Sequence, residues 1–438
     1  MIMVVGLMHR FSRFCTLLAL LCLALGQARA VTLKEARQLY ATGEYAKAIK
    51  ASEVAIAANE YDSGWRLLLL RARLTTGEYP EARQFATELL KDYRYCSNAE
   101  ALWLFHLAYE ANGDAEQAGQ MLQVIMHFLN GQRGISDENT LIFIGRALLK
   151  AAATDPKQVK ENLFDRVLKS SPDNREALLV TGELALAKRD FKLAGQTFTR
   201  AIGHYPDDAD LLYGLAKAYA ESDPSQMEEP LHTAMFTNPD HVPSLLLQAH
   251  NQADAEQYDT ANGILKAIFK INPNHAASWA LQAALHTVRN EPDKAKSARA
   301  SGLKYWKTNP LVDHEIGKNL SSKYLFAEGA AHQRQALEFS KDYLQAKTQL
   351  AQDLLRLGQE EEGWRLAEEA HKADGYDVTT YNLRTRHDSL KKYTAIDRNG
   401  FLLRRTRDES ALYGDEAIDL LTEARELFSA KYDTQIEG

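Results

Sequence analysis

Cysteine is scarce in this chain: its 438 residues hold three, Cys15, Cys22 and Cys96. That scarcity excludes a disulfide-stapled fold, and the lack of any Cys-x-x-Cys pair excludes the common zinc ribbons and redox centres. Prolines number only 11, and no Gly/Ser-rich or single-charge block interrupts the sequence, so long flexible linkers are excluded too. A Gly-rich phosphate loop and a Gly-x-Ser-x-Gly elbow are both missing. His314-Glu315-Ile316-Gly317-Lys318 comes nearest to a zinc helix. Such a helix needs a second imidazole one turn on, and Lys318 stands there instead. The other histidines have no ligand spacing. Carboxylate runs such as Glu228-Glu229 and Glu360-Glu361-Glu362 read as solvated helix faces rather than acid/base pairs. A net charge of −7 carries no nucleic-acid footprint. Before residue 395 no stretch alternates apolar and polar residues as a strand does. As given, the chain reads as a non-enzyme with no catalytic residue, cofactor or metal.

The first 30 residues are different in kind. Arg10 and Arg13 border an apolar run from Phe14 to Leu25, and Ala28-Arg29-Ala30 supplies small residues for cleavage before Val31. That is the layout of a secretory signal peptide, with an apolar run too short for a comfortable bilayer span. Met8 can serve as the start. Cleavage removes three arginines, which takes the charge from −7 to −10, and leaves Cys96 as the one cysteine and no stable membrane span. The mature protein is expected to be exported, to a periplasmic or extracellular location. Cys96, at a turn between Tyr95 and Ser97, is expected to be a buried, inert thiol.

Pro172, Pro206, Pro239 and Pro273 stand 34, 33 and 34 residues apart, each opening a Pro-Asp or Pro-Asn turn. Proline cannot continue a helix, so each one punctuates a unit of helix, turn and helix. Within Arg175 to Asp208, Leu178, Gly182 and Ala185 share one face of the first helix. Ala194, Phe198 and Ala201 answer from the second, with Gly182 and Ala194 small enough to let the two backbones approach. Period and pattern resemble the tetratricopeptide repeat.

Earlier units lack the proline and carry a glycine turn: Gly43-Glu44-Tyr45, Gly77-Glu78-Tyr79 and Gly113-Asp114, each followed by alanine in the next helix. A looser unit runs from Asn130 to Pro172, with Gly145, Phe164 and Val167. Asp223-Pro224-Ser225 makes an irregular turn, and Arg299 occupies a place where an apolar residue is expected. Units continue past Pro310 to Gly358, Gly363, Ala367 and Ala370. The expected fold is all-α: a right-handed superhelical solenoid of about ten tetratricopeptide-like hairpins over residues 31–375, after a signal peptide at 1–30 and before a C-terminal extension of α/β character at 376–438.

Such repeats hold no chemistry of their own and present a groove. The resemblance implies that first helices line a concave surface. It places Glu183, Tyr213, Lys217 and His250 there, either as a site for an extended peptide or a partner's helix, or as solvated side chains. The expected partner is a protein or peptide, and the expected role a protein-interaction scaffold. Tyrosines and tryptophans at repeat positions read as core rather than as base-stacking platforms.

From Leu320 the text changes. Asp374-Gly375-Tyr376-Asp377, Tyr381-Asn382-Leu383, a helix ending near Tyr393, a short strand at Gly400 to Arg404 and a helix ending at Lys431-Tyr432 follow in order. This order resembles the junction, in bacterial exported proteins, between a tetratricopeptide arm and a gluzincin metallopeptidase domain of the peptidase-MA-like group. The resemblance implies a His-Glu-x-x-His helix further on, and none precedes Gly438. On that reading the chain is a truncated form without hydrolytic activity, and the strand near Phe401 lacks its sheet partners. The alternative is a cap that closes the last face of the solenoid. Arg384, Arg386, Lys391, Lys392, Arg398, Arg404, Arg405 and Arg407 are interspersed with acids, as on a solvated face.

Overall fold

Ten helical hairpins follow one another from Leu33 to Ala373 in the computed structural model, which describes residues 31–131 and 137–435. The signal-peptide reading of residues 1–30 lies outside the described residues. First helices begin on Asx caps where a short polar side chain can satisfy the free amides: Asn98 accepts from Ala101 N at 2.9 Å, Asn174 from Ala177 N at 3.0 Å, and Asp208 from Asp210 N at 3.1 Å. The four prolines of the ladder sit between hairpins, after Ser170, His204, Thr237 and Ile271 have ended second helices.

Inside nine of the ten hairpins one residue adopts left-handed φ to reverse the chain. Gly43, Gly77 and Gly113 do so at +87°, +77° and +75°. In later hairpins the same corner is made by Arg189, Glu256, Asn290 and Tyr324, at +61°, +61°, +58° and +63°. The Asp223-Pro224 corner is instead a short 3₁₀ turn, Pro224–Gln226, as its irregular sequence suggests.

The space left by Gly182 is filled by a ring from the facing helix. A Cβ on Gly182 would lie 2.4 Å from Phe198 Cζ, and one on Gly214, in the next hairpin, 2.3 Å from the same atom. Phe198 is fully buried between the two glycines and ties adjacent repeats together. Phe164 repeats the device under Gly145, at 2.3 Å. Cys96 is exposed, not buried; its thiol donates to Leu90 O at 3.1 Å while Tyr95 takes the interior position.

Arg299 finds a partner that the apolar pattern did not reveal. Its guanidinium makes a bidentate pair with Asp313 at 2.8 and 2.7 Å, and His332 Nδ1 lies 2.7 Å from the same fully buried carboxylate.

Successive turns of the superhelix touch. Hairpin corners of the first, second, third and fifth repeats rest on residues about 190 positions later. Asn238 Nδ2 donates to Tyr45 OH at 3.1 Å, across 193 residues. One repeat on, Asn272 Nδ2 donates to Thr75 O at 3.0 Å and to Tyr79 OH at 3.2 Å, and Asn274 Nδ2 to Gly77 O at 2.9 Å. Gly113 lies against Trp306, and Tyr79 meets Tyr305 edge-on at 5.9 Å. Further along, Lys188 pairs with the buried Asp374, and Val378 N donates to Lys188 O at 3.3 Å. These contacts form a seam that closes one turn of the solenoid on the next.

After the tenth hairpin, helix Val378–Leu390 packs on Glu360–Ala373, with His387 stacked on Trp364 at 4.6 Å. Strands β1 (Thr394–Arg398) and β2 (Phe401–Arg405) then form an antiparallel hairpin, Thr394 opposite Arg405. Its corner, Asn399-Gly400, has both φ values positive, as a two-residue hairpin loop requires. The strand near Phe401 therefore has a partner, contrary to expectation, and Gly400 belongs to the turn. Helix Arg407–Tyr432 packs on this hairpin through Gly414 and Ile418.

Candidate functional site: the interior of the superhelix

First helices of hairpins far apart in sequence bring their charged faces within reach of one another, Arg71 with Glu176 and Asp210, and Tyr343 with Glu110. Their periodicity explains this: Asp210, Tyr213 and Lys217 are three, then four, residues apart and so share a helix face, as do Glu176 and Glu183. Two neighbouring polar clusters result.

The first cluster centres on Arg175. Its guanidinium reaches Glu176 at 2.5 Å, Asp208 at 2.7 Å and Asp210 at 2.6 Å. Burial disfavours charge on this arginine, but the three carboxylates outweigh it and hold the group protonated. Burial likewise works to raise Asp210; the hydrogen bond with His241, at 3.2 Å, and the charge of Arg175 prevail and hold it below the usual carboxylate range. Glu183 goes the other way. Burial pushes its carboxyl up, and the negative charges of Asp210 and Glu176 add to the rise, against the pull of Arg146 at 3.0 Å.

The second cluster centres on Glu315. Burial raises this carboxyl, yet Lys318, His314, His250 and Lys217 together bring it below its ordinary value. Lys217 is held above its ordinary value, first by Tyr213, whose ring lies 5.8 Å from Nζ. Burial lowers His250, whose Nδ1 is 3.1 Å from Asn319 Oδ1. Tyr213 joins the clusters, since its ring also meets His241 edge-on at 5.8 Å.

All four residues singled out from the sequence thus lie on this interior surface. Glu183 is in the first cluster, Lys217 and His250 in the second, and Tyr213 between them. The sequence reading missed Arg146, Arg175, Asp210 and Glu315, which set the electrostatics. Their signal was available as charged positions on the same first-helix faces.

Where the seam meets the first cluster there is a cavity of ≈ 700 Å³. Tyr40, Tyr45 and Arg71 line it from the first turn of the superhelix, and Asp210, Asn238 and His241 from the second. Arg71 pairs with Glu100 at 2.9 Å there. The cavity combines aromatic faces with charges of both signs, which suits a polypeptide segment better than a compact ion. Among the described residues no three His, Cys, Asp or Glu side chains converge as a metal ligand set, and no helix is long and apolar enough to cross a membrane.

A tetratricopeptide repeat model matches residues 33–95 and 161–209. Those stretches include the glycine corners at 43 and 77 and the hairpin built around Phe198. Among solved structures, the crystal structure of yeast Tom70 is similar with a TM-score of 0.39 and 15% identity, over 82% of this chain and 88% of that one. No curated protein matches the sequence. The chain thus carries tetratricopeptide repeats at residues 33–95 and 161–209, and its ten stacked hairpins form an all-α solenoid.

Proposed function

We propose that this is an exported, non-catalytic scaffold that holds an extended segment of a partner protein against the interior of its superhelix. The observation that carries the reading is the alignment of first-helix side chains, Glu183, Tyr213, Lys217 and His250 among them, along one surface of alternating charge with aromatic faces. A peptide backbone and mixed side chains match that chemistry, because hydrogen bonds and small charge pairs recur along both. Residues 1–30 act in this reading as the cleaved export signal.

Photo-crosslinking tests it. A crosslinking amino acid replaces Tyr213 in one variant and Phe236, an outward-facing side chain, in another. Both are expressed in the native host. The expected result is a discrete adduct from position 213 that disappears in the Glu183→Lys, Lys217→Glu double variant. Adducts from position 236 alone, or insensitivity to the charge reversal, would sink the interior site. N-terminal sequencing of the exported protein should begin at Val31.

A second reading takes the array as the substrate-handling arm of a zinc metallopeptidase. One observation favours it: after Leu390 the chain leaves the helical-hairpin pattern for a strand, strand and helix unit. Reading the gene past Gly438 separates the two, since this version requires a His-Glu-x-x-His downstream.

A further inference from the structure

Helix Arg407–Tyr432 uses only part of its circumference. The side facing the β-hairpin carries Gly414, where a Cβ would lie 2.5 Å from Ile396 Cδ1, the fully buried Ile418, and Arg425, whose guanidinium lies 4.8 Å from the Phe401 ring. The adjoining side is apolar and open to solvent. Tyr413, Leu420 and Leu427 recur every seven residues and are 52%, 65% and 59% exposed. Ala417 and Ala424 alternate with them at intervals of three and four, and Phe428 widens the stripe. Exposed singly, such residues need no explanation; a continuous stripe on a helix with 26 residues marks an interaction face.

The border of the stripe states the partner's charge. Glu409, Glu416 and Glu423 form a second row at seven-residue spacing, directly beside the Tyr413–Leu420–Leu427 row. Glu409 is engaged by Arg405 at 3.9 Å and by the Thr406 hydroxyl, whereas Glu416 and Glu423 have no ion pair among the described residues. Of the hairpin's other basic groups, Arg398 is taken up by Asp415 and Asp419 on another side of the helix. The pattern is half of a two-helix seam: large residues at one core position, alanine at the other to permit close approach, and acids on one flank.

We propose that this face docks a basic amphipathic helix of a partner protein. A second copy of the chain fits poorly. An antiparallel copy would set the glutamate row against its own like charges, and a parallel copy would set it against Leu421 and Phe428. A partner helix with leucine-like residues along its seam and lysine or arginine on its flank satisfies both rows at once. The surface is separate from the interior site and does not depend on it.

The test titrates the full chain with two synthetic helical peptides that share a leucine seam and differ only in flanking Lys or Glu, followed by fluorescence anisotropy. The Lys-flanked peptide should bind at least about tenfold more tightly, with the gap narrowing as salt rises. Glu416→Lys with Glu423→Lys should transfer the preference to the Glu-flanked peptide, and Leu420→Asp should abolish binding of both. Circular dichroism melts confirm that these solvent-facing variants remain folded. Equal binding of the two peptides, or none, overturns the proposal. So does a Leu420-dependent dimer by light scattering, which would make a second copy the occupant. Sedimentation with anionic or zwitterionic vesicles that Leu420→Asp abolishes would make it a lipid surface and also overturn it.

Discussion

The first five hairpins and the last five differ in what they bury. Up to residue 205 the fully enclosed polar side chains are few, Ser52, His106, Thr181 and Thr197 among them, and one apolar cluster runs from Leu67 to Leu184. Beyond it the enclosed groups include Asn238, Asn272, Asp313, Gln333 and Asp353. The difference has two sources. Asn238 and Asn272 are buried because the earlier turn of the superhelix lies on them. Asp313 and Asp353 are buried because the later hairpins lock together through polar groups: Asp313 through Arg299 and His332, Asp353 through Ser321 at 2.9 Å. The first half holds its neighbours by volume; the second adds matched donors and acceptors to smaller apolar clusters. Enclosed polar groups are tolerable only while their partners remain in place, so the second half is the more fragile to single substitutions.

Arg299→Leu gives the largest expected effect. It strands a fully buried carboxylate with His332 alone and should destabilise the protein by about 3–5 kcal/mol in urea unfolding. Replacing both partners, Arg299→Leu with Asp313→Leu, should recover most of that loss. If the double variant is as unstable as the single one, the later hairpins rely on something other than this pair.

Next comes a contrast between glycines in the same corner position. A Cβ on Gly77 would stand 2.1 Å from Asn272 Oδ1, whereas Gly358 has nothing within 4 Å. Both have left-handed φ, at +77° and +75°. Gly358→Ala should therefore cost only the conformational strain, about 1–2 kcal/mol. Gly77→Ala should cost about 3 kcal/mol, because it also dislodges the asparagine. Hydrogen exchange separates them: the Gly77 variant should lose protection at Thr75–Tyr79 and again at Asn272–His275, while the Gly358 variant loosens its own corner alone.

Period and hairpin number were legible in the sequence, because each depends on spacings within about 34 residues. The seam was not. Its partners stand about 195 residues apart, and no local pattern marks an asparagine as the seat for a distant glycine. The corners at Arg189, Glu256 and Tyr324 were hidden because exposed side chains that rarely adopt left-handed φ fill them, Arg189 also reaching Thr379 across the seam. Glycine stands at Gly43, Gly77 and Gly113, where another turn of the superhelix approaches, and at Gly358, where nothing does. The Gly-Glu-Tyr signature at 43–45 and 77–79 thus encodes more than a turn, because its tyrosines receive the asparagine amides. Arg299 was misread as a defect because its partner lies in the following hairpin. Interior charges such as Asp210 were not singled out, although Asp210 shares a helix face with Tyr213 and Lys217.

Asn272→Ala probes the seam with a smaller loss, about 1–3 kcal/mol, since the amide's bonds to Thr75 O and Tyr79 OH are left unmade while the backbone keeps its geometry. Small-angle scattering should report an increase in radius of gyration, as the two turns part at that rung. Asn309→Ala, which removes only a helix cap at Leu311 N, should leave the radius unchanged. An equal expansion in both would mean that the closed superhelix does not depend on the asparagine rung.

A last effect comes from pH, and it falls on the same rung. His275 caps the helix Ala276–Val288 by accepting from Ser278 N at 3.3 Å through Nδ1, a role that a protonated ring cannot fill. Burial favours the neutral ring and brings its pKa down to about 4, below the 6.5 of an unfolded chain. The stabilisation is therefore complete above about pH 6.5 and lost progressively as the pH falls toward about 4. His275→Asn keeps an acceptor at the cap and removes the titration. Its midpoint of unfolding should vary less than the wild type's between those two pH values. Parallel pH profiles would assign the acid sensitivity to other groups and detach His275 from the stability of the rung beside it.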